Sequence, residues 1–395
     1  MNGFYWVDRK KAFCYYEIVE ISKFTRGLFV PSPEGEVCLL MQLYPNDSMG
    51  IPDESRDKKQ NTNIEILKDA DSRGKERDWK GKKKRSLLMA DHHEIAELTK
   101  KAERMYDCGN YLVFKLKDSR LKLYQAYFCK ARLCPMCNWR RSLKIAFQNK
   151  KIIQTLNERE KVKWVFLTLT VRNVEGNELK NTMDQMTKAW NRFAGYAKFK
   201  KSVKGYFRAM EVTRNWDKES EWYGTYHPHF HVLLAVSTNY FTKNYIKQSE
   251  WTSMWQRAMK LDYTPIVHVA KVKPKTESSD FVEIEDEVKK TIAEQNAIFE
   301  VSKYPVKDTD VIRGNKVTLE NVQTVKDLDT ALAYKRLISY GGLLKEIHKE
   351  LNLDDAEDGD LIHIDEDNDE VANGAVDVMA YWHVGLNNYV IKTKE

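Results

Sequence analysis

In the segment HPHFHVLL, His229 and His231 are separated by one apolar residue, so on a β-strand both imidazoles point to one face while Phe230 packs behind. Two imidazoles at that spacing suit a divalent ion, although histidines also sit satisfied in cores. The preceding segment AMEVTRN carries Glu211. If the two strands pair antiparallel, this carboxylate shares a face with the histidines and completes a facial set of two imidazoles and one carboxylate with open positions. A hard ion held there, Mn2+ or Mg2+, could grip a phosphate oxygen and polarise phosphorus for attack. His227 stands just before Pro228 and is the weaker ligand.

A nucleophile is available further along. In AIFEVSKYPVK, Glu300 and Tyr304 are four residues apart, on one face of the expected helix, with Lys303 and Lys307 beside them. A phenol ordinarily titrates near ~10, so attack at neutral pH needs adjacent positive charge or a metal-polarised phosphate. Lys307 can supply that charge. Taken alone, one tyrosine among 20 reads as structural; its surroundings argue for chemistry.

A third cluster is built from sulfur. Cys129, Cys134 and Cys137 lie in CKARLCPMC, and Cys108 precedes them across an expected hairpin, NYLVFKL then KLYQAYF. Four thiolates can close a tetrahedral Zn2+ site that braces a small lobe, the alternative being reduced core cysteines. Cys14 and Cys38 read as core residues. Beyond the last ligand the basic helix NWRRSLKIAFQNKKIIQTL begins, and Arg140, Arg141 and Lys144 are candidate phosphate contacts, a solvated helix face being the plainer reading. The block Lys82, Lys83, Lys84, Arg85 is read the same two ways.

These residues need a frame. The 395-residue chain is 42% apolar, enough for real cores, and its net charge of +7 is diluted by acidic runs near the C-terminus. No apolar run reaches membrane-spanning length and the first residues lack a signal-peptide layout, so the expected location is the cytoplasm. From Trp164 the pattern is a strand, a helix carrying Leu179, Met183, Met186, Trp190 and Phe193, two strands, a helix over NYIKQSEWTSMWQRAMKL, the strand PIVHVAKVK and a helix ending at Tyr304. This βαββαβ-like order predicts an α+β fold with an antiparallel sheet of the ferredoxin or RNA-recognition type.

The expected division is a small β-rich module at 1–53, a charged linker at 54–87, the four-cysteine lobe and basic helix at 88–157, the core at 158–312, and a C-terminal region at 313–395. Within the last, 325–352 reads as helical with a break at Gly341 and Gly342. DDAEDGDLIHIDEDNDE reads as solvated or as repelling misplaced DNA, and YWHVGLNNYVI as a strand returning to a core. The stretch KTESSDFVEIEDEVKK reads as an acidic surface insertion.

In order along the chain, FLTLT at 166–170, HPHFH at 227–231 and EVSKYPVK at 300–307 resemble the three motifs of the HUH endonuclease superfamily. More closely, CGNYLVF, FCKARLCPMCNWRRSLK, MEVTRN, HPHFHVL and SKYPVKDTD resemble the rolling-circle replication initiators of small Gram-positive plasmids, over roughly residues 75–395. The resemblance implies a site-specific nick at the plasmid double-strand origin, single-stranded or hairpin at the nick site. Tyr304 becomes linked to the 5′ phosphate, and Glu300 activates water for a closing hydrolysis. It implies His229 and His231 as metal ligands; Glu211 as third ligand and Lys303 as a DNA contact are added inferences from the residues themselves. It also implies a host helicase as partner; the oligomeric state is left open. Rival readings are a histidine-triad nucleotide hydrolase, whose motif HPHFHVLL also fits, a non-catalytic zinc DNA-binding protein, and a relaxase or transposase of the same superfamily.

Overall fold

The computed structural model describes residues 28–31, 37–40, 64–71, 74–272, 305–364 and 375–392. In chain order these form β1 (Leu28–Pro31), β2 (Val37–Leu40), β3 (Glu65–Ile66), α1 (Trp79–Ile95), α2 (Thr99–Asp107), β4 (Tyr111–Lys117), β5 (Arg120–Ala126) and α3 (Pro135–Arg159). The central part adds β6 (Val162–Thr170), α4 (Gly176–Gly195), α5 (Ala197–Ser202), β7 (Val203–Arg214), β8 (Tyr226–Ser237), α6 (Gln248–Met259) and β9 (Val267–Lys271). The C-terminal part holds α7 (Asp308–Val311), α8 (Leu319–Leu332), β10 (Ile338–Gly342), α9 (Leu343–Glu350), β11 (Val376–His383) and β12 (Asn388–Lys392). The fold is α+β, with two five-stranded antiparallel sheets ordered β10-β7-β8-β6-β9 and β3-β12-β11-β4-β5. Of the β-rich module expected at 1–53, the described residues hold only the antiparallel pair β1 and β2.

The first sheet carries the histidines. Its consecutive elements β6-α4-α5-β7-β8-α6-β9 place β8 and β6 between β7 and β9, the strand order of a split βαβ arrangement. Alternation along β8 decides its two faces. Phe230 turns toward the helices, 5.8 Å from the Trp190 ring of α4 and 5.9 Å from Trp255 of α6, leaving His229 and His231 on the opposite face. Leu179, Met183, Met186, Trp190 and Phe193 are all buried, so the helical spacing of α4 seats one stripe on the sheet.

The second sheet packs its inner face, including Leu112, Phe114 and Tyr389, around Trp79, whose ring is 5.9 Å from Phe114 and 6.5 Å from Tyr389. The YWHVGLNNYVI segment is a hairpin of β11 and β12 rather than one strand, because the turn of Val384, Gly385, Leu386 and Asn387, the last at φ 47°, reverses the chain so that the two strands pair. The segment read as linker ends in helix: α1 starts at Trp79 and runs through the boundary placed at 87/88.

The helical reading of 325–352 is corrected in its middle. Ile338 lies in β10, which pairs antiparallel with β7 from Ile338 opposite Ala209 to Gly342 opposite Gly205. An otherwise unpaired edge of β7 takes this segment, and Gly342, at φ 56°, turns the chain out of the strand into α9. A Cβ there would lie 2.2 Å from the Lys204 carbonyl oxygen, so only glycine fits.

A buried carboxylate fastens this edge. Glu357 accepts hydrogen bonds from the Leu337 and Ile338 amides (3.1 and 3.3 Å) and pairs with Arg132 at 2.5 Å. Removing one partner of such a buried group leaves the other desolvated and unpaired, which costs about 3–5 kcal/mol. Glu357→Ala is therefore expected to lower the unfolding free energy by ~3 kcal/mol or more in urea titration, and the exposed Asp358→Ala to change it by less than ~0.5 kcal/mol.

Candidate metal centres and active site

The β7–β8 register puts Glu211 directly opposite His229, and His231 opposite Ala209, two places along on the same face. Three side chains thereby converge. His229 Nε2 lies 3.1 Å from His231 Nε2 and 3.8 Å from Glu211 Oε2, and His231 Nε2 lies 3.2 Å from the same oxygen. The three could hold a metal ion.

The far ring nitrogens are engaged as well. His229 Nδ1 sits 3.0 Å from the His227 carbonyl, a contact only an N–H can make, so Nε2 of the neutral ring keeps its lone pair toward the centre. His231 Nδ1 is 3.3 Å from Thr168 Oγ1 of β6, and its ring lies against Phe166. Burial, reinforced by the neighbouring His231, lowers the His229 pKa to about 4. Burial works against ionisation of Glu211, but hydrogen bonds from His231 and Lys307 overcome it and hold the carboxyl at about 2. At neutral pH the centre thus presents a carboxylate and a neutral His229, the protonation states that ligation requires.

Lys307 donates to Glu211 Oε1, which brings the chain just after the tyrosine motif to the centre. Pro305 and Val306 before it are buried. The expected catalytic residues Tyr304 and Glu300, and Lys303, lie outside the described residues.

The sulfur cluster also assembles. Cys108 at the end of α2, Cys129 after β5, and Cys134 and Cys137 at the start of α3 are buried and free of disulfides. Sγ separations are 3.6 Å from Cys108 to Cys137, 3.6 Å from Cys129 to Cys137 and 3.7 Å from Cys134 to Cys108. A tetrahedral ion with metal–sulfur bonds of ~2.3 Å spaces its ligands ~3.8 Å apart, so the four thiols fit one. The amides of Cys129 and Lys130 point at Cys108 and Cys137 sulfur (3.4 and 3.2 Å), as suits thiolates.

The expected phosphate contacts on α3 are corrected. Arg140, Arg141 and Lys144 are buried. Arg140 donates to the Leu361 and Ile362 carbonyls, Arg141 to those of Glu357, Lys130 and Ala131, and Lys144 pairs with Asp354 at 2.5 Å. The reason is the acidic segment read as solvated: its first part, 354–362, lies along α3 and takes up these cations. The Lys82–Arg85 block divides similarly. Lys83 is buried, donating to the Tyr106 and Cys108 carbonyls at 2.7 and 2.9 Å, and Arg85 grips Asp308 and the Ile312 and Gly314 carbonyls.

Thr168 and Asn138 were missed as supports of the two centres. Thr168 lies in the FLTLT strand at a position facing His231, which the strand period could have flagged. Asn138 donates to the Val306 carbonyl at 3.2 Å, a contact across 168 positions that no local pattern announces.

The site thus defines an α+β protein with two separate groups that could hold metal ions, a carboxylate–imidazole set on one sheet and a cage of four thiols. The family described as Replication protein matches residues 120–390, and the chain belongs to that family, the Rep initiators of Gram-positive plasmids. It is 57% identical over 336 residues to a protein named Protein rep from Bacillus amyloliquefaciens, covering 83% of this chain and 97% of that relative. A Protein rep of Streptococcus pneumoniae is 42% identical, with 83% and 96% covered, and one of Lactiplantibacillus plantarum 41%, with 83% and 99%. No solved structure matches. Among the described residues no helix is long and apolar enough to cross a membrane.

The depressed His229 pKa sets a pH dependence. Between about 4 and 6.5 the unfolded chain binds a proton there that the folded chain refuses, so stability is full above this window and falls as pH drops through it. Glu211 acts in the same direction at lower pH, its contribution present above 4.5 and lost toward about 2. With divalent ions withheld from the buffer, urea unfolding at pH 4.5 and 7 should differ by up to ~3 kcal/mol from His229, and His229→Gln should flatten that slope.

Proposed function

We propose that the chain initiates rolling-circle replication by nicking plasmid origin DNA, with Tyr304 as nucleophile. The observation that carries this reading is the convergence of Glu211, His229 and His231 with Lys307 on the same carboxylate. Lys307 is three residues from Tyr304, so covalent geometry keeps the two Cα atoms within ~11 Å. The Replication protein family supports DNA as the substrate.

In this reading Glu211, His229 and His231 hold Mn2+ or Mg2+. Such an ion, when bound, supplies Lewis acidity at a non-bridging phosphate oxygen. The Tyr304 oxygen bonds the phosphorus, the phosphorus–O3′ bond breaks, and O3′ leaves as a hydroxyl on taking a proton, while the phenolic proton passes to solvent. The 5′ end stays on the tyrosine and the free 3′-hydroxyl is left to prime synthesis. Lys307 and Lys303 favour the phenolate and the approaching phosphate. Glu300 takes a proton from water in the closing cleavage, which releases the strand by hydrolysis or leaves joining to the 3′ end. The thiol cage of Cys108, Cys129, Cys134 and Cys137 holds Zn2+ as a brace. A host helicase would unwind the duplex from the nick in the cytoplasm.

The test is a single-stranded oligonucleotide bearing the cognate nick site, incubated with the protein and Mn2+ beside Tyr304→Phe. A metal-dependent covalent protein–DNA adduct that disappears in Tyr304→Phe is expected. An adduct that persists moves the nucleophile elsewhere, to His229 in a nucleotide-hydrolase reading, and binding by both proteins without any cleavage leaves a DNA-binding protein. One zinc per chain is expected by elemental analysis, with Cys134→Ser losing it and melting at lower temperature.

A further inference from the structure

The second sheet has an outward face that the reaction described above does not use. On β4 the burial alternates, with Leu112 and Phe114 turned inward and Tyr111, Val113, Lys115 and Lys117 outward. The register extends this face across the sheet: Tyr381 of β11 stands opposite Tyr111, Met379 opposite Val113, and Lys122 of β5 opposite Lys115. A bulge between Val113 and Phe114 accommodates Tyr124, whose ring lies under the Lys115 ammonium at 4.7 Å.

Two properties stand out on this face. Its aromatics are open to solvent, Tyr111 at 64% and Tyr124 at 50%, and the Tyr111 and Tyr381 rings are neighbours at 6.5 Å with planes tilted by only 33°. Its open charge gathers at one end: the Lys115 ammonium pairs with Asp377 at 2.5 Å and the Lys122 ammonium is buried, whereas Lys117 and Arg120 at the β4–β5 turn stand exposed against Asp118. Exposed apolar surface of this kind marks a contact site. The centre of a protein-docking patch is depleted in lysine, whereas here lysines alternate with the rings. Rings on a sheet surface, interleaved with cations, are how single-stranded nucleic acid is held: bases stack on the rings and phosphates follow the positive charge.

We propose that the outward face of the β3-β12-β11-β4-β5 sheet binds single-stranded DNA, with bases stacking on Tyr111 and Tyr381 and the phosphate backbone passing Lys117 and Arg120 at the β4–β5 turn. The proposal rests on the reading that this chain acts on DNA, but not on the identity of its nucleophile. Duplex DNA cannot stack on these rings without unpairing, so the face selects the opened strand. The strand would be held by the lobe that the thiol cage braces, apart from the centre that cuts it.

The experiment measures fluorescence anisotropy of a fluorescein-labelled oligo-dT strand and of a mixed-sequence duplex, titrated with the full chain. Tyr111→Ala and Tyr381→Ala are each expected to weaken oligo-dT binding ~10-fold, as loss of one stacking platform does, with duplex binding unchanged. Tyr111→Phe keeps the ring and should bind as the unaltered chain does, which separates stacking from misfolding. Lys117→Ala should reduce the salt dependence of log K by about one. Repeating the series in Tyr304→Phe, which removes cleavage under the nicking reading, keeps the two readings apart: binding losses that persist there support the face whatever the fate of the nucleophile. Oligo-dT affinity unchanged in both alanine variants overturns the proposal. So does a fall in sedimenting mass in those variants, which would make the face a contact between two copies of the chain.

Discussion

The candidate catalytic centre depends on the pairing register of β7 and β8. Glu211 stands opposite His229, and the two-residue period then brings His231 to the same face. A slip of one residue would turn Glu211 toward the helices, where Trp190 and Trp255 pack on Phe230, and bury an unpaired carboxylate among aromatic rings. The apolar residues that fix the register, Phe230 and Val232 against α4 and α6, therefore set the ligand geometry without touching it. Thr168 and the His227 carbonyl then orient the two rings from the back, so little remains for an incoming ion to organise.

Much of this was legible in sequence because it depends on local period. The His-x-His strand, the apolar stripe of α4 and the βαββ order needed only alternation and helical spacing, and the meeting of Glu211 with the histidines needed only antiparallel pairing. The cysteine cluster was legible for a different reason: thiols separated by two and four residues beside a hairpin have the spacing of metal ligands.

What the sequence did not disclose was the destination of charge. Arg140, Arg141 and Lys144 have the composition of a phosphate-binding helix face, and 354–362 that of a solvated acidic run, yet each is the partner of the other across more than 200 positions. Net charge and local density do not register such pairing, because a cation neutralised inside the fold and one facing solvent look alike in a sequence. The same holds for β10. Two glycines in a helical pattern signal a break, but the strand that fills it exists because β7 offers an edge and Glu357 receives its amides.

These contacts give the sulfur lobe a part in the geometry of the other centre. Cys134 caps α3 and Cys137 lies in its first turn, so whatever ties the four sulfurs together fixes the start of that helix. The next residue, Asn138, holds the Val306 carbonyl, and on α1 Ser86 touches Cys134 and accepts from the Met136 amide while Arg85 grips the chain from Asp308 to Gly314. The segment 306–314 is thereby clamped from both sides by helices that meet at the cage. Lys307 lies inside that clamp and reaches Glu211. A disturbance of the cage is consequently transmitted through α3, Asn138 and Val306 to the cation that faces the Glu211 carboxylate. A lobe that contributes no side chain to the Glu211, His229 and His231 group can in this way control where the chain that follows Tyr304 meets the histidine strand.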